Sequence, residues 1–469
     1  MSKRNAKRAA KAAKNHPALA ATIVIILVII IAGAAILWYF RPDVFDKILG
    51  SSQQQGQVDG GTTDQGSGDN GNTNQGTGDG GSTDQGTGDN GNTNQGSGDG
   101  QDNTPQIPNQ PSVGGQGEIV EADFSIHFLE LGNGYAGDCI LIDCGDTEVL
   151  IDAGSRQSSA TEIKKYVDTY CTDGTLEYVI STHADQDHIA GYVGNATNGT
   201  RTGILFQYNI GTLIKFDRTG KSTQVYNNYL EAIARAESKG ASVYTASQCY
   251  YERDGASRQY YLDEAHTLSI NILYNYYYDH NSSDENNYSV VTLLTKELPD
   301  GNKHYLFTGD LEKEGEEKLV EYYSKPSNSQ SVFDILPEVE LYKAGHHGSK
   351  TSSNKVLIDV IKPKYVSVCC VAGAPEYTKN NLNTFPTQDM IDHVGKYTDK
   401  IYVTSLATDL PALNGGLSGQ FANQDYNYTS MNGNIVFYFS GNELKLWCSN
   451  NTTILKDTEW FKQYRTWKY

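Results

Sequence analysis

Four residues of types that bind metal ions lie within six positions, in the stretch His183-x-Asp185-x-Asp187-His188. Histidine offers an imidazole nitrogen and aspartate a hard carboxylate oxygen, and both are common ligands of divalent cations. The stretch follows LEYVIST, a run typical of a strand, so its side chains can converge from a strand-to-helix loop. The alternative is a polar loop whose aspartates cap a helix, with Asp187 as the capping residue. Four residues of metal-binding types in this order favour a metal site.

Two later segments add ligand types at the ends of predicted strands. Asp310 ends HYLFTGD, and His346 and His347 follow LYKAG. An aspartate at a strand end is by itself more often a turn or cap residue, whereas paired histidines after glycine are a stronger sign of ligation. Because strand ends at one edge of a sheet are where functional side chains meet, the three segments together predict a site for two divalent metal ions.

The sequence around these segments alternates between strand and helix patterns. Short β-rich runs separated by glycine turns come first, and later strands alternate with helices. Strands are predicted at 124–131, 139–144, 148–154, 176–182, 289–295, 304–310, 339–346 and 364–371, and helices at 159–170, 226–240, 312–323 and 354–363. This order is typical of an α/β fold with two mixed sheets packed face to face and helices outside.

The N-terminal part of the chain predicts a membrane anchor. Residues 1–17 are rich in Lys and Arg, and 18–40 contain no charged residue and are long enough to cross a hydrocarbon core. Trp38 and Tyr39 end this run, and the cations before it favour a cytoplasmic N-terminus in a single-pass topology. A signal peptide cleaved near 32–34 is the alternative, but the apolar run continues past that point. Either way, the rest of the chain is expected outside the cell.

A linker is predicted between this anchor and the folded domain. Residues 51–117 consist almost entirely of Gly, Asp, Asn, Gln, Thr and Ser, and they include two nearly identical repeats at 61–80 and 81–100. A segment with so little apolar surface cannot offset the entropy of ordering, so we expect it to be disordered. It would tether a folded domain at 118–469.

The folded domain is predicted to be acidic, and its odd number of cysteines argues against a full disulfide framework. Residues 1–50 hold eight Lys/Arg and two Asp and 51–117 hold eight Asp, which leaves 29 basic and 46 acidic residues, a balance of about −17. That balance argues against tight non-specific binding of duplex DNA, which needs cations to neutralise phosphates. The seven cysteines form no Cys-x-x-Cys pair. We expect buried thiols, with Cys369 and Cys370 on opposite faces of a strand.

The ordered blocks HADQDH, FTGD and KAGHHGSKTS resemble the metallo-β-lactamase superfamily. Within it they are most similar to the C-terminal hydrolase domain of competence DNA-uptake channel proteins and to related cell-surface metallohydrolases. FLELGNGYAGDCILID and ENNYSVVTLL resemble two further blocks of that branch, the first with three extra residues around 135–137. The resemblance covers about 124–440 and implies a four-layer αββα sandwich.

The same resemblance implies a set of metal ligands in which Asp310 bridges two ions. The set is His183, Asp185, Asp187, His188, Asp310 and His346. Asp187 would also take part in catalysis with His347, which would lie behind the ligands or contact substrate. Because Asp185 stands where many relatives have His, the harder site suits manganese as well as zinc.

Three further residues have implied supporting roles, and one position departs from the branch. Asp152 would be a buried carboxylate that braces the ligand loop, and Asn286 and Ser289 would shape the pocket. The branch usually has His before Pro in a late loop, whereas this chain has Phe385 before Pro386. A contact to substrate phosphate would therefore be missing.

The implied function is an extracellular, membrane-tethered phosphodiesterase or nuclease in which two metal ions, zinc or manganese, activate a water molecule. DNA is one expected substrate. The first alternative is an esterase for a cell-envelope phosphodiester of the phosphorylcholine or teichoic-acid type. The second is a non-catalytic surface binding module on the same fold. The membrane is an expected partner through the N-terminal helix, and nothing in the sequence requires a protein partner.

The tyrosine-rich run LYNYYYDH at 273–280 has two explanations. It would be a strand whose aromatic rings cover one edge of the core, or it would be an exposed surface on which a base, a sugar or a quaternary ammonium group stacks.

Overall fold

Two eight-stranded mixed sheets form the framework of the protein. The computed structural model describes residues 122–325, 336–378, 380–408 and 426–469. The predicted tail at 1–17, the membrane helix at 18–40 and the linker at 51–117 lie outside these residues. In the described ranges, none of the helices has the length and apolar character needed to cross a membrane.

The first sheet has the strand order β18-β17-β1-β2-β3-β4-β7-β8. Its strands are β1 (Phe124–Phe128), β2 (Ile140–Asp143), β3 (Glu148–Ile151), β4 (Thr175–Ser181), β7 (Asn209–Lys215), β8 (Ser242–Thr245), β17 (Ile435–Ser440) and β18 (Glu443–Cys448). The pairs from β18 to β3 are antiparallel, and those from β3 to β8 are parallel. The hairpin-like start and the later parallel strands agree with the order predicted from the sequence.

The second sheet has the order β16-β15-β14-β13-β12-β11-β10-β9. Its strands are β9 (Gln259–Tyr261), β10 (Leu268–Ile272), β11 (Thr292–Lys296), β12 (Lys303–Phe307), β13 (Leu341–Lys343), β14 (Tyr365–Ala372), β15 (Ile401–Ala407) and β16 (Tyr428–Ser430). The strands β12 to β15 are parallel neighbours. A separate ribbon pairs β5 (Ala196–Thr197) with β6 (Thr200–Arg201).

Nine α-helices lie in the described ranges. They are α1 (Ser159–Val167), α2 (Gln186–Val193), α3 (Ile204–Gln207), α4 (Gln224–Ser238), α5 (Ala246–Tyr250), α6 (Lys313–Tyr323), α7 (Lys355–Ile361), α8 (Gln388–Gly395) and α9 (Glu459–Tyr464). Helices α1 to α5 contribute buried residues to the core that also contains the first sheet. Helices α6 to α9 contribute to a second core on the second sheet. The mixed α/β architecture predicted from the sequence is confirmed.

Aromatic contacts show that the two sheets pack face to face. The ring of Phe124 lies 5.5 Å from that of Tyr305, and Tyr365 lies 5.3 Å from Phe437. All five residues of β1 are buried, because one face of the sheet meets its partner sheet and the other meets helices. Cys369 and Cys370 belong to different cores, as their opposite directions along β14 predict. All seven cysteines are unpaired.

The tyrosine-rich run is not a strand, which corrects the sequence prediction. Strand β10 ends at Ile272, and the Asn275 side chain then accepts a hydrogen bond from Tyr277 N and caps a 3₁₀ turn at Tyr276–Tyr278. Tyr277 and Tyr278 are buried, whereas the Tyr274 ring stacks on Tyr322 at 4.0 Å. These contacts favour the core explanation over an exposed stacking surface.

Candidate metal centre

The ends of three strands bring the predicted ligand segments together. Strand β4 ends at Ser181, and His183 and Asp185 lie in the loop before α2, whose first turn carries Asp187 and His188. This turn is near the end of β12, where Gly309 has φ 55° and stops the strand before Asp310. Glycine tolerates this left-handed conformation, so the chain can turn the aspartate toward the loop.

Asp310 is the centre of the cluster. Its Oδ2 lies 3.1 Å from Nε2 of His188, 3.3 Å from Nε2 of His347 and 3.9 Å from Nε2 of His346. Asp187 joins from the other side, with Oδ2 3.4 Å from Nε2 of His347. Two groups of ligand atoms, each close enough to share one ion, are His183 with His188 and Asp310, and Asp187 with His188 and His347.

The buried polar atoms of this cluster fit metal ions. The Nε2 atoms of His183, His188 and His347 are buried, and within the described residues none of them makes a well-aligned hydrogen bond. Those of His188 and His347 lie against carboxylates, at 3.1 Å and 3.3 Å from Oδ2 of Asp310. Leaving a buried polar atom without a partner costs free energy, and buried imidazoles are normally bonded. Three such atoms directed at one carboxylate are explained together if they bind cations. The donor set of imidazole and carboxylate suits zinc or manganese.

Asp152 holds the ligand loop from behind. Its Oδ2 lies 2.7 Å from Nδ1 of His188, and its Oδ1 accepts a hydrogen bond from Thr182 N at 2.8 Å. The Thr182 hydroxyl also donates to Oδ2 at 2.6 Å. A carboxylate on Nδ1 fixes the ring so that Nε2 faces the cluster. Asp152 is fully buried, as expected from its position after β3.

Two functional residues were missed by sequence reasoning, Asp138 and Lys343. Both are buried, and their side chains form an ion pair beneath the cluster. The Lys343 ammonium also lies 3.3 Å from Oδ1 of Asp310, and Asp138 Oδ1 lies 3.2 Å from Nδ1 of His347. The sequence held one sign of this pair, because Lys343 ends the buried strand β13. A lysine is almost never buried without a partner.

The surrounding charges shift the pKa values of the histidines in opposite directions. Burial, with the neighbouring His188 cation, holds the pKa of His183 well below its ordinary value, so this imidazole is neutral. Burial also opposes the His188 cation, but the carboxylates of Asp310 and Asp152 outweigh it and raise the pKa of His188. The pKa of His347 is raised for a similar reason, against burial and chiefly by Asp310 and Asp138. A bound divalent cation would take the place of these protons.

Asp185 and His346 lie at the edge of the cluster rather than inside it. Asp185 Oδ1 is paired with the Lys221 ammonium at 2.5 Å, while its Oδ2 lies 3.9 Å from Nε2 of His183. Nδ1 of His346 is 3.0 Å from the Thr351 hydroxyl. His346 is partly exposed whereas His347 is fully buried, so the structure brings His347 deeper into the cluster than the sequence suggested.

The backbone around the histidine pair is strained. His346 and His347 have φ values of 47° and 53°, both in the left-handed region that non-glycine residues avoid. Such residues cost about 1–3 kcal/mol each and persist where the surrounding structure holds them. Gly345 N donates to the hydroxyls of Tyr342 and Ser353, which fixes the entry to this turn. Strain of this kind is common at functional sites.

The pocket-shaping residues implied by the resemblance lie beside the cluster. The Ser289 hydroxyl lies 3.5 Å from Nδ1 of His183 and accepts a hydrogen bond from Asp310 N at 3.1 Å. Asn286 donates to Glu312 at 3.2 Å. Phe385 packs its ring 5.8 Å from that of His346, so an apolar side chain occupies the place where an imidazole was expected.

Two open cavities flank the cluster. One of about 330 Å³ is lined by Tyr135, Arg156, Asp185, Gln186, Asp187, Lys221, Glu376, Tyr377 and Tyr426. The other, of about 490 Å³, is lined by Asp185, Thr219, Gly220, Lys221, Ser282, Ser283, Asp284, Glu285, Asn286 and Tyr288. The first has aromatic walls, and the second is rich in carboxylates and hydroxyls. Both reach the ligand loop, so a substrate bound to the cluster can extend in two directions.

Sequence comparisons identify the family of the matched region. Residues 132–193 match the family model described as the metallo-beta-lactamase superfamily. ComE operon protein 3 of Bacillus subtilis (strain 168) is 29% identical to this chain over 124 residues, which are 26% of this chain and 13% of that protein. The chain therefore spans a small part of the length of this curated relative.

Two solved metallo-β-lactamase structures show low similarity to the chain. The metallo-beta-lactamase SMB-1 is 15% identical, with 47% of this chain and 79% of that chain covered and a TM-score of 0.24. A metallo-β-lactamase of Cronobacter sakazakii is 16% identical, with coverages of 39% and 60% and a TM-score of 0.20. The matched range 132–193 contains the Asp152 brace and the whole ligand loop from His183 to His188, and over that range the chain is similar to the metallo-β-lactamase superfamily.

Proposed function

We propose that this chain is a metal-dependent hydrolase that uses two divalent ions, zinc or manganese, to cleave phosphodiesters. The observation that carries the proposal is the set of three buried Nε2 atoms, from His183, His188 and His347, around the carboxylate of Asp310. Within the described residues none of these nitrogens makes a well-aligned hydrogen bond, and Asp187 is a second carboxylate beside the Nε2 atom of His347.

The residues divide into two overlapping ligand groups. His183 and Asp310, with Asp185 at the edge, would hold one ion, and Asp187 and His347 would hold the other. His188 lies within reach of both groups. His346 would lie at the partly exposed edge of the metal site. Bound ions of this kind supply a hydroxide near neutral pH and polarise the bond under attack. The protein keeps the ligands fixed through Asp152 and keeps their charges balanced through Lys343.

The shape and charge of the flanking cavities support a phosphodiester rather than a bulky neutral substrate. Arg156 and Lys221 lie at the edges of the aromatic cavity and each is paired with one carboxylate, Glu376 and Asp185 respectively. Guanidinium and ammonium groups are the side-chain donors that bind phosphate oxygens in proteins. Two ester arms can extend into the two cavities.

The overall charge favours small esters or single strands over duplex DNA. A domain with 46 acidic and 29 basic residues repels a polyanion at long range. Duplex binding would require a row of phosphate contacts and would weaken steeply with added salt. We therefore expect nuclease activity, if the chain has it, to favour single strands or ends.

A cell-envelope phosphodiester with a cationic head group is the second candidate. The 490 Å³ cavity is lined by Asp185, Asp284 and Glu285, which would attract a quaternary ammonium group of the phosphorylcholine type. A non-catalytic surface binding module on the same fold is the third candidate. The retained ligand set argues against it, and metal content distinguishes it from a hydrolase.

We further propose that residues 18–40 anchor the chain in the cell membrane with the hydrolase domain, 118–469, outside and the linker, 51–117, between them. The apolar run and the preceding cations support this topology. Protease added to intact cells should cut the linker and release the domain. Cutting only after lysis would contradict it.

The activity is tested by loading the purified chain separately with manganese and zinc. The substrates are bis(p-nitrophenyl) phosphate, a phosphorylcholine ester, single-stranded DNA and duplex DNA, with a phosphomonoester, a lactone and a β-lactam for comparison. We expect hydrolysis of the small diester, with weak salt dependence, and slow cleavage of the duplex. Preferred hydrolysis of the lactone or β-lactam would contradict the proposal.

A further inference from the structure

The hydroxyl of Tyr377 reaches into the metal centre from a ring that is largely exposed. The side chain is 51% exposed, yet its Oη donates to Oδ2 of Asp187 at 2.6 Å. The same Asp187 oxygen lies 3.4 Å from Nε2 of His347. An exposed tyrosine gains little from burial, so its position depends on this hydrogen bond and on what holds the loop.

The loop segment before Tyr377 is fixed by hydrogen bonds at two points. The neighbouring Glu376 accepts from Ala136 N at 2.7 Å and from Arg156 Nη2 at 3.1 Å. At the loop's start, Gly373 N donates to Phe385 O at 2.7 Å. These contacts join the segment to the turn after β1, where the sequence has three extra residues around 135–137. The tyrosine is therefore held over Asp187 before any ligand binds.

Phe385 supports the ring but offers the site no polar atom. Its ring lies 5.4 Å from that of Tyr377 and 6.4 Å from that of His347. On this side of the cluster, Tyr377 thus supplies a neutral hydroxyl that can donate to an oxygen. The cations of the adjoining cavity, Arg156 and Lys221, are already paired with carboxylates.

We propose that Tyr377 is a substrate-contacting residue that donates a hydrogen bond to a phosphoryl oxygen, and that the cavity beside it receives one arm of the ester. This inference rests on the proposed phosphodiester function. When the Asp187 carboxylate is occupied by a cation, the hydroxyl is released to bond an oxygen of a group seated above the cluster. The aromatic walls formed by Tyr135 and Tyr426 suit a planar or sugar-like arm.

Tyr377→Phe in the full chain tests this contact, with Tyr428→Phe as a matched control because Tyr428 is also exposed but does not line the cavity. The readouts are bound metal per chain, the affinity for inorganic phosphate by calorimetry, and turnover of bis(p-nitrophenyl) phosphate. We expect Tyr377→Phe to keep its metal, to bind phosphate about tenfold more weakly, and to turn over about 10–100-fold more slowly, since one donor to a developing charge contributes at least that much. The control should match the wild type.

Three results would overturn the proposed contact between Tyr377 and the phosphoryl oxygen. If Tyr377→Phe loses metal in parallel with phosphate affinity, Tyr377 is a positioning residue for Asp187. If the variant keeps its phosphate affinity and turnover, Tyr377 does not contact the substrate. Wild-type protein that binds phosphate through Tyr377 but cleaves no diester would refute the proposed function while the contact stands. Wild-type protein that binds no phosphate would refute the contact.

Discussion

Oδ2 of Asp152 lies 2.7 Å from Nδ1 of His188, and the opposite nitrogen of that ring faces Asp310 at 3.1 Å. One buried carboxylate thus orients the histidine that belongs to both ligand groups. The orientation is reinforced because the backbone and hydroxyl of Thr182 donate to the same carboxylate.

Asp152→Asn should lower metal affinity without unfolding the domain. The amide has one acceptor oxygen where the carboxylate has two, so either His188 or Thr182 loses its partner. Carboxylates behind metal ligands typically change affinity by about 10–100-fold when replaced. Competition with a chelator measures the change. Asp168→Asn, in a solvent-exposed ion pair with Lys164, is the control and should behave as wild type.

The two neighbouring histidines should respond differently to substitution. His347 is buried at the cluster, whereas His346 lies at its rim and bonds to Thr351. His347→Ala should therefore remove most of one metal equivalent, and His346→Ala should retain more metal and lose less turnover. If the two variants retain equal amounts of metal, or if His346→Ala loses more, His346 would be a metal ligand as the sequence suggested.

Lys343→Met should destabilise the metal-free protein strongly. The substitution leaves the carboxylates of Asp138 and Asp310 buried with less positive charge nearby, and breaking such a pair costs about 3–5 kcal/mol. Added metal should recover part of this loss, because a cation at Asp310 replaces the lost charge. Thermal unfolding with and without metal measures both effects. Lys362→Met, at an exposed ion pair, should change the midpoint little.

Asp143 should make stability depend on pH in a defined direction. Burial raises the pKa of Asp143 to about 7, against an ordinary value of 3.8. Between pH 4 and pH 7 the folded state therefore keeps a proton on Asp143 that the unfolded state releases. The free energy of unfolding is highest below pH 4 in this respect and falls as the pH rises toward 7. Asp143→Asn should match the wild type near pH 4 and be more stable by about 1–3 kcal/mol at pH 8. Denaturant unfolding at both pH values measures the difference.

The control for this prediction is Asp146→Asn, a neighbouring residue that is exposed. It should leave the pH dependence unchanged. If Asp143→Asn is instead less stable than the wild type at pH 8 and equal to it at pH 4, the prediction is wrong. The charged carboxylate would then have a stabilising partner in solution.

Sequence patterns predicted the mixed α/β architecture, and the structure brings the predicted ligand segments close together. Apolar residues alternate along β1 and are clustered in β4, and the ligand loop is continuous from His183 to His188. The buried pair of Asp138 and Lys343 could not be predicted, since the two residues are far apart in sequence and meet only when the sheets pack. The depth of His347 likewise depends on two successive left-handed residues, which no propensity scale favours.

The predicted strands also extended too far at their functional ends. Strand β12 stops at Phe307 and β13 at Lys343, before Asp310 and His346 respectively. In each case the chain leaves the sheet just before a glycine, and the polar side chain that follows can turn toward the cluster. The tyrosine-rich run was misassigned for a related reason, because Asn275 caps a 3₁₀ turn that the aromatic composition hides.

The metal content of the purified chain tests the central claim most directly. Elemental analysis after dialysis against manganese or zinc should give about two equivalents per chain, and Asp310→Ala should lose most of both while its circular dichroism spectrum stays unchanged. An Asp310→Ala protein that retains two equivalents, or a wild-type protein that binds none, would contradict the two-metal site.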